Sequence, residues 1–181
     1  MALLPILTVP HPLLKQVSRA VREDEFGTAL EKRMQDMAET MYAAPGVGLA
    51  GVQIGDLRRI IVCDPNETDE NTGEKKRAGL LMLVNPEIVE TADKPITWEE
   101  GCLSVPDFWE DVTRPMRALV RWHTPLGKPC EQWFEGFPAV IIQHEMDHLE
   151  GVVILDKVSR LKKTRYLKKV KKAGGRVVTK S

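Results

Sequence analysis

Phe137-Pro138-Ala139-Val140-Ile141-Ile142-Gln143-His144-Glu145-Met146-Asp147-His148-Leu149-Glu150-Gly151 reads as a buried helix with two histidines on one face. Pro138 suits a first helical turn, where a missing N–H costs nothing, and Gly151 suits the position just past a helix end. Val140, Ile141, Ile142, Met146 and Leu149 place apolar side chains on more than one side, so a helix over 137–150 belongs inside the molecule. His144 and His148 stand four residues apart and share a face. Two buried imidazoles need partners, and one cation satisfies both. Glu145 then points beside the cation rather than at it. A general base belongs there, to take a proton from water that the cation has acidified toward ~7. The competing picture, two unrelated histidines on a surface helix, conflicts with the apolar residues around them.

Two imidazoles do not make a tight site, and a catalytic centre needs a third ligand with one position left open. Spacing alone offers Cys102, Cys130, Cys63, His123 or a carboxylate. Cys102 has the most favourable surroundings, because Gly101 before it lets the backbone come close. A free cysteine is otherwise commonly a small buried hydrophobe.

The 181 residues fit one domain of ordinary size, and 43% apolar residues suffice for a core without disulfides. Lys plus Arg and Asp plus Glu balance at 26 each, yet no acidic residue follows Lys157. The chain before it is therefore net acidic. The basic end is either a solvated face or a contact for an anionic partner such as RNA. Three cysteines cannot all pair within the chain. No secretory signal is read at the start and no apolar run reaches the ~20 residues of a bilayer span, so the expectation is a cytoplasmic protein without membrane contact.

Outward from the histidine helix, the pattern predicts α+β architecture: short, mostly antiparallel sheets around a central metal-binding helix, with one helix toward each end. Residues 1–22 read as an extended, proline-rich arm. Phe26, Leu30, Met34, Met37 and Met41 form a helical stripe over 24–42, with Asp24 or Thr28-x-x-Glu31 as its cap. Residues 46–53 read as a loop or irregular strand, 58–63 as a strand and 64–77 as an exposed loop. Strands are read at 80–84 and 87–90, separated by a turn at Asn85-Pro86. A hairpin is read at 117–123 and 131–134, and a last helix from Ser159 to Lys172 ending at Gly174-Gly175. Residues 1–158 are taken as the catalytic unit and 159–181 as a basic helix and tail.

Three segments taken together resemble the peptide deformylase family: Gly46-Val47-Gly48-Leu49-Ala50-Gly51-Val52-Gln53, Glu100-Gly101-Cys102-Leu103-Ser104 and Gln143-His144-Glu145-Met146-Asp147-His148-Leu149. The resemblance runs from the arm to about residue 158. It implies removal of the formyl group from the N-terminal formyl-methionine of new polypeptides, with release of formate. It assigns Cys102 as third ligand beside His144 and His148. It also implies one divalent metal, best known in the family as iron(II), with nickel, cobalt and zinc forms also occurring. Glu145 would be the base, with the Gln53 side-chain amide and the Leu103 backbone N–H stabilising the oxyanion. Val47, Gly48 and Gly101 would pair with the peptide backbone as an added strand does. The methionine side chain would enter an apolar pocket near Val47, Val140, Ile141 and His144, with Arg114 a basic position near the cleft. Two residues depart from the family pattern. Gly51 stands where Ala is usual and is expected to loosen its loop, and Trp109 stands where some bacterial members carry Arg.

Other readings fare worse. Gly46, Gly48 and Gly51 match G-x-G-x-x-G, but that fingerprint needs a strand before it and a helix after it. Here the order is inverted, so no dinucleotide is expected. A His-Glu-x-x-His peptidase would usually supply a third His or Glu downstream, where only Glu150 and Asp156 stand. An RNA- or ribosome-binding module with a closed structural metal site would need four protein ligands. Ribosome contact through Lys162, Lys163, Lys168, Lys169, Lys171 and Lys172 is compatible with the enzyme reading.

Overall fold

The computed structural model describes residues 3–68, 75–77, 79–92 and 94–173, with backbone alone for 66–68 and 75–77. Its elements, in order, are α1 (Thr28–Ala43), β1 (Gly48–Ala50), β2 (Ile60–Cys63), β3 (Asn66–Thr68), β4 (Lys75–Arg77), β5 (Leu81–Thr91), β6 (Pro95–Cys102), β7 (Val105–Pro115), β8 (Arg117–His123), β9 (Pro129–Glu135), α2 (Phe137–Leu149) and α3 (Arg160–Lys172). Every strand pairing among them is antiparallel, in a five-stranded sheet ordered β1-β2-β5-β8-β9 and two separate hairpins, β3-β4 and β6-β7. The architecture is the expected α+β. No helix of the described residues is long and apolar enough to cross a membrane.

β2 shows why the layers stack as they do. Ile60-Ile61-Val62-Cys63 is fully buried, and alternate residues of a strand face opposite ways. Ile60 and Val62 meet the stripe of α1, where Leu30, Met34, Met37 and Met41 pack. Ile61 and Cys63 meet α2 through Ile141, Ile142 and Leu149. Burying a Val or Ile side chain is worth roughly 1.5–3 kcal/mol, so this short strand fixes both helices to the sheet. A third cluster joins Val105 and Val112 of β7 to Val153, Ile154 and Leu155, and to Tyr166 and Val170 of α3.

Several expectations are corrected. The first helix starts at Thr28, after Gly27 (φ 130°). Asp24 is not its cap: it lies in a separate 3-10 turn, Glu23–Glu25. Part of 64–77 is a hairpin rather than an exposed loop, since Asn66 pairs with Arg77 and Thr68 with Lys75, and Asp64 is buried; residues 69–74 lie outside the described residues. β5 runs through Asn85-Pro86 without a turn. The irregularity is absorbed by shifts of register and by Asn85 at φ 51°, whose side chain exchanges hydrogen bonds with the Val21 backbone. The β6-β7 hairpin was not legible as a pair of strands, because Glu99 and Glu100 hide its alternation. Gly174-Gly175, the expected end of the last helix, lie outside the described residues.

The arm is extended with short turns. Leu7 N–H donates to Gln53 O (2.7 Å), Val9 N–H to Ser104 O (2.9 Å) and Ser18 N–H to Leu149 O (2.7 Å). It thus ties together the three segments singled out in the sequence.

Candidate metal centre and active site

The spacing of α2 delivers what the sequence promised. His144 and His148 lie with ring centroids 5.0 Å apart, both buried. The last residue of β6 completes the set. The register shifts between Gly101 and Cys102 because residues 106–108 of β7 are left unpaired; β6 itself runs on without an extra residue, and Cys102 Sγ lies 3.3 Å from His148 Nε2. Ligand atoms of Cys102, His144 and His148 all fall within 4.8 Å of one another. A tetrahedral ion with ordinary metal–sulfur and metal–nitrogen bonds requires a sulfur–nitrogen separation of about 3.5 Å. The residues therefore fit a divalent cation. Among the described residues no other His, Cys, Asp or Glu group forms such a cluster. Cys63 is buried in the α2 layer, Cys130 contacts Lys128 O, and His123 packs edge-on to Phe26.

Charged side chains fix the histidine face. Glu100 stands two residues before Cys102 and so points the same way along β6. Its Oε2 lies 2.8 Å from His144 Nδ1, leaving Nε2 for the cation. Arg114 forks onto Glu100, Nε to Oε1 at 2.5 Å and Nη2 to Oε2 at 2.9 Å, while Nη1 reaches Asp147 Oδ2 at 2.9 Å. One guanidinium thus bridges the strand that carries Cys102 to the helix that carries both histidines. Burial alone would raise the Glu100 pKa, but the hydrogen bonds and charges of Arg114 and His144 outweigh it and hold the carboxylate ionised. Among the described residues His148 has no such support, and its buried Nδ1 has no partner. Burial and the neighbouring His144 push His148 well down. His144 is raised well above the usual value, because hydrogen bonds to Cys102 and Glu100 overcome its own burial. Two imidazoles this close resist both becoming cations, whereas both can serve as neutral ligands.

Glu145 stands beside the cluster. Burial raises its pKa to about 7, partly opposed by the charges of His144 and Arg114. Its Oε2 is buried and has no hydrogen-bond partner among the described residues, an arrangement that costs free energy and points to a group that meets another molecule. Gly48 gives it room, since a Cβ there would collide with the carboxylate.

Gln53 is 1% exposed in the turn Gly51–Ile54. Its Oε1 accepts from Ala50 N–H (2.8 Å), which turns Nε2 toward Ser104 Oγ (3.1 Å) and Cys102 Sγ (3.8 Å). The amide therefore presents its donor side to the cluster. Gly51 corrects an expectation: a Cβ there would lie 2.7 Å from Asp56 O and 3.0 Å from Arg58 O, so glycine tightens this loop instead of loosening it.

A cavity of about 970 Å³ opens over these groups. Val47, Gly48, Gln53, Gly101, Cys102, Leu103, Val140, Ile141, His144 and Glu145 all contribute to its wall. Arg114 does not: it is 7% exposed and committed to Glu100 and Asp147 behind the wall. The sequence reading missed Glu100 as the partner of His144, although its two-residue offset from Cys102 on a strand was a usable signal. Asp147 as the second anchor of Arg114, and Trp98 stacked on Phe137 at 5.0 Å, gave no signal.

Comparison with known proteins agrees with this geometry. Residues 3–164 match the family model described as polypeptide deformylase. A peptide deformylase of Phenylobacterium zucineum (strain HLK1) is 49% identical over 172 residues, covering 95% of this chain and 97% of that protein. The crystal structure of peptide deformylase from Ehrlichia chaffeensis superposes with a TM-score of 0.87 at 36% identity, over 96% of this chain and 97% of that one. A Met-Ala-Ser-bound class I type b peptide deformylase from Acinetobacter baumannii superposes with a TM-score of 0.79 at 32% identity, over 87% of this chain and 99% of that one.

Proposed function

Because this chain belongs to the peptide deformylase family, hydrolases that remove the formyl group from formyl-methionine at the start of nascent polypeptides, we propose that Cys102, His144 and His148 hold its metal and that Glu145 is its general base. The observation that carries the assignment is the buried, unpartnered Glu145 carboxylate beside a cluster of one sulfur and two nitrogens. When bound, a divalent cation supplies Lewis acidity and lets water lose a proton near neutral pH.

The chain's own residues do the rest. Glu145 takes the proton from the attacking water and passes it to the nitrogen of the departing methionine as the formyl C–N bond breaks, leaving formate and a free amine. Burial raises the Glu145 carboxyl above the usual carboxylate range, which suits a group that both takes and gives a proton. The Gln53 amide and the Leu103 N–H donate to the formyl oxygen as negative charge gathers there. Glu100, held by Arg114, keeps His144 in one tautomer and orientation.

The peptide is read as an added strand along Val47, Gly48 and Gly101, with the methionine side chain against Val140 and Ile141. In support, among the described residues β1 is the end strand of its sheet and β6 pairs only with β7. Arg114 acts from behind the wall, as a clamp on Glu100 rather than a substrate contact.

Iron(II) is the proposed native ion, since a soft thiolate with two imidazoles suits it, as it also suits zinc, nickel or cobalt. Metal analysis of protein purified without air decides between them. Residues 1–158 are proposed as the unit that carries the chemistry, in the cytosol, where its three thiols stay reduced. The basic α3 is proposed to favour ribosomal RNA. Lys162 and Lys163 already pair with Glu110 and Asp156, which leaves Lys168, Lys169, Lys171 and Lys172 to make that contact. Reversing those four charges should weaken cosedimentation with ribosomes; unchanged cosedimentation removes the idea.

The deciding experiment is formate release from formyl-Met peptides. Glu145→Ala should keep its metal and lose at least ~100-fold in kcat. Full turnover by the variant would reject Glu145 as base, and cleavage of unformylated peptides by the wild type would favour a peptidase.

A further inference from the structure

Trp109 belongs to β7, lines the cavity and is 66% exposed. It lies directly opposite Gly101, whose missing side chain makes room for it: a Cβ on Gly101 would stand 2.7–2.9 Å from the six-membered ring of the indole. The backbone of β6 thus supports one face of the ring and leaves the other open. Directly opposed residues share a face of a hairpin, so Glu99 and Asp111, paired with each other two positions away, lie on the same exposed side as Trp109. Asp107 also lines the cavity. None of these three carboxylates makes an ion pair among the described residues. Two like charges directly opposite each other work against the hairpin. Among the described residues that line the cavity there is no Lys or Arg.

We propose that Trp109 is a specificity-determining residue that selects nascent chains carrying a Lys or Arg within the two positions after the formyl-methionine, by stacking under its cation while Glu99, Asp107 and Asp111 supply the negative field. This rests on the deformylase reading and deepens it. A strand laid along Gly101 sends alternate side chains to opposite faces. With methionine against the inner wall, a following side chain passes over the supported indole. An open indole face with neighbouring carboxylates attracts a cation through the ring quadrupole and through ordinary Coulomb forces. It gives an acidic substrate residue neither attraction nor a counter-ion.

The test uses the metal-loaded enzyme and two peptide series, formyl-Met-X-Ala and formyl-Met-Ala-X. X is Lys, its uncharged isostere norleucine, or Glu. Comparing peptides within one variant cancels any loss of active enzyme. In one of the two series, kcat/KM for Lys should exceed that for norleucine by roughly three- to tenfold. The difference should sit in KM, shrink at high salt, and leave Glu the poorest. Trp109→Ala should bring the Lys-to-norleucine ratio to about one, and Trp109→Arg should place Glu above Lys. A wild-type ratio near one, a preference for norleucine, or a ratio that survives Trp109→Ala overturns the proposal. Absence of formate from every peptide would instead strike the deformylase reading itself.

Discussion

α2 and α3 are each thirteen residues long, yet the structure uses them in opposite ways. α2 buries nine of its residues, including Gln143, His144, Glu145 and His148. α3 buries two, Tyr166 and Val170, and turns a basic face to solvent. The difference lies in what surrounds each helix. α2 runs between the five-stranded sheet and the β6-β7 hairpin, so its polar groups answer to Arg114 and Glu100 rather than to water. α3 rests on one side of the hairpin, where Tyr166 donates a hydrogen bond to Pro106 O (2.8 Å) and packs edge-on to Phe108. A charge beside α2 is therefore worth far more than a charge on α3, because desolvation multiplies the cost of leaving it unpaired.

The sharpest way to break this contrast is Arg114→Ala. It leaves Glu100, 5% exposed, without its main cation. The expected loss is about 3–5 kcal/mol of stability by denaturant unfolding. Metal affinity should fall by roughly 10- to 100-fold, since His144 loses its fixed support. A loss below about 1 kcal/mol would show that water reaches Glu100 and that the site is wetter than its burial suggests.

On α3 the matching change is Val170→Ala. Removing two methyl groups from a 3% exposed side chain should cost roughly 1–3 kcal/mol and lower the melting temperature by several degrees. Turnover of a small formyl peptide well below the transition should stay within about twofold. A large drop in kcat would mean that α3 reaches the chemistry and that 1–158 is not a separable catalytic unit.

The smallest expected effect concerns Asp156, which joins the arm, the segment after α2 and α3 through Lys15, Lys163 and the Val153 N–H. Burial opposes its ionisation, but those three bonds win and lower its pKa to about 2. The folded value lies below the unfolded value of about 3.9. Its contribution is thus fully present above about pH 4 and fades as pH falls toward 2. Asp156→Asn should cost about 1 kcal/mol at pH 7, less than the shift implies because the group is partly open to solvent. It should also flatten the stability profile between pH 4 and 2. Parallel acid profiles for the two proteins would contradict this account.

Much of the fold was legible where one element's own periodicity decided it. The reading of α2 over 137–150 agrees with Phe137–Leu149, and Ser159 caps α3 through its side chain at Lys162 N–H. The hairpin β8-β9 followed from its turn residues. The failures share a cause: each depended on a partner outside the element concerned. β6 and β7 looked polar because Glu100 is neutralised by Arg114, fourteen residues on. β5 passes through Asn85 because Val21, sixty-four residues earlier, satisfies its amide. Gly51 looked like a loosened loop because sequence does not show the backbone oxygens of Asp56 and Arg58 closing on it.

By itself the sequence determined the helix, its two histidines on one face and the glutamate beside them, because a pitch of 3.6 residues settles such neighbours within a single turn. The tertiary structure decided which of the distant candidates completes the cluster, and that Arg114 packs behind the cavity wall against Glu100 and Asp147. Those outcomes turn on an irregular strand pairing and on the packing of a hairpin against a helix, and no local periodicity encodes either.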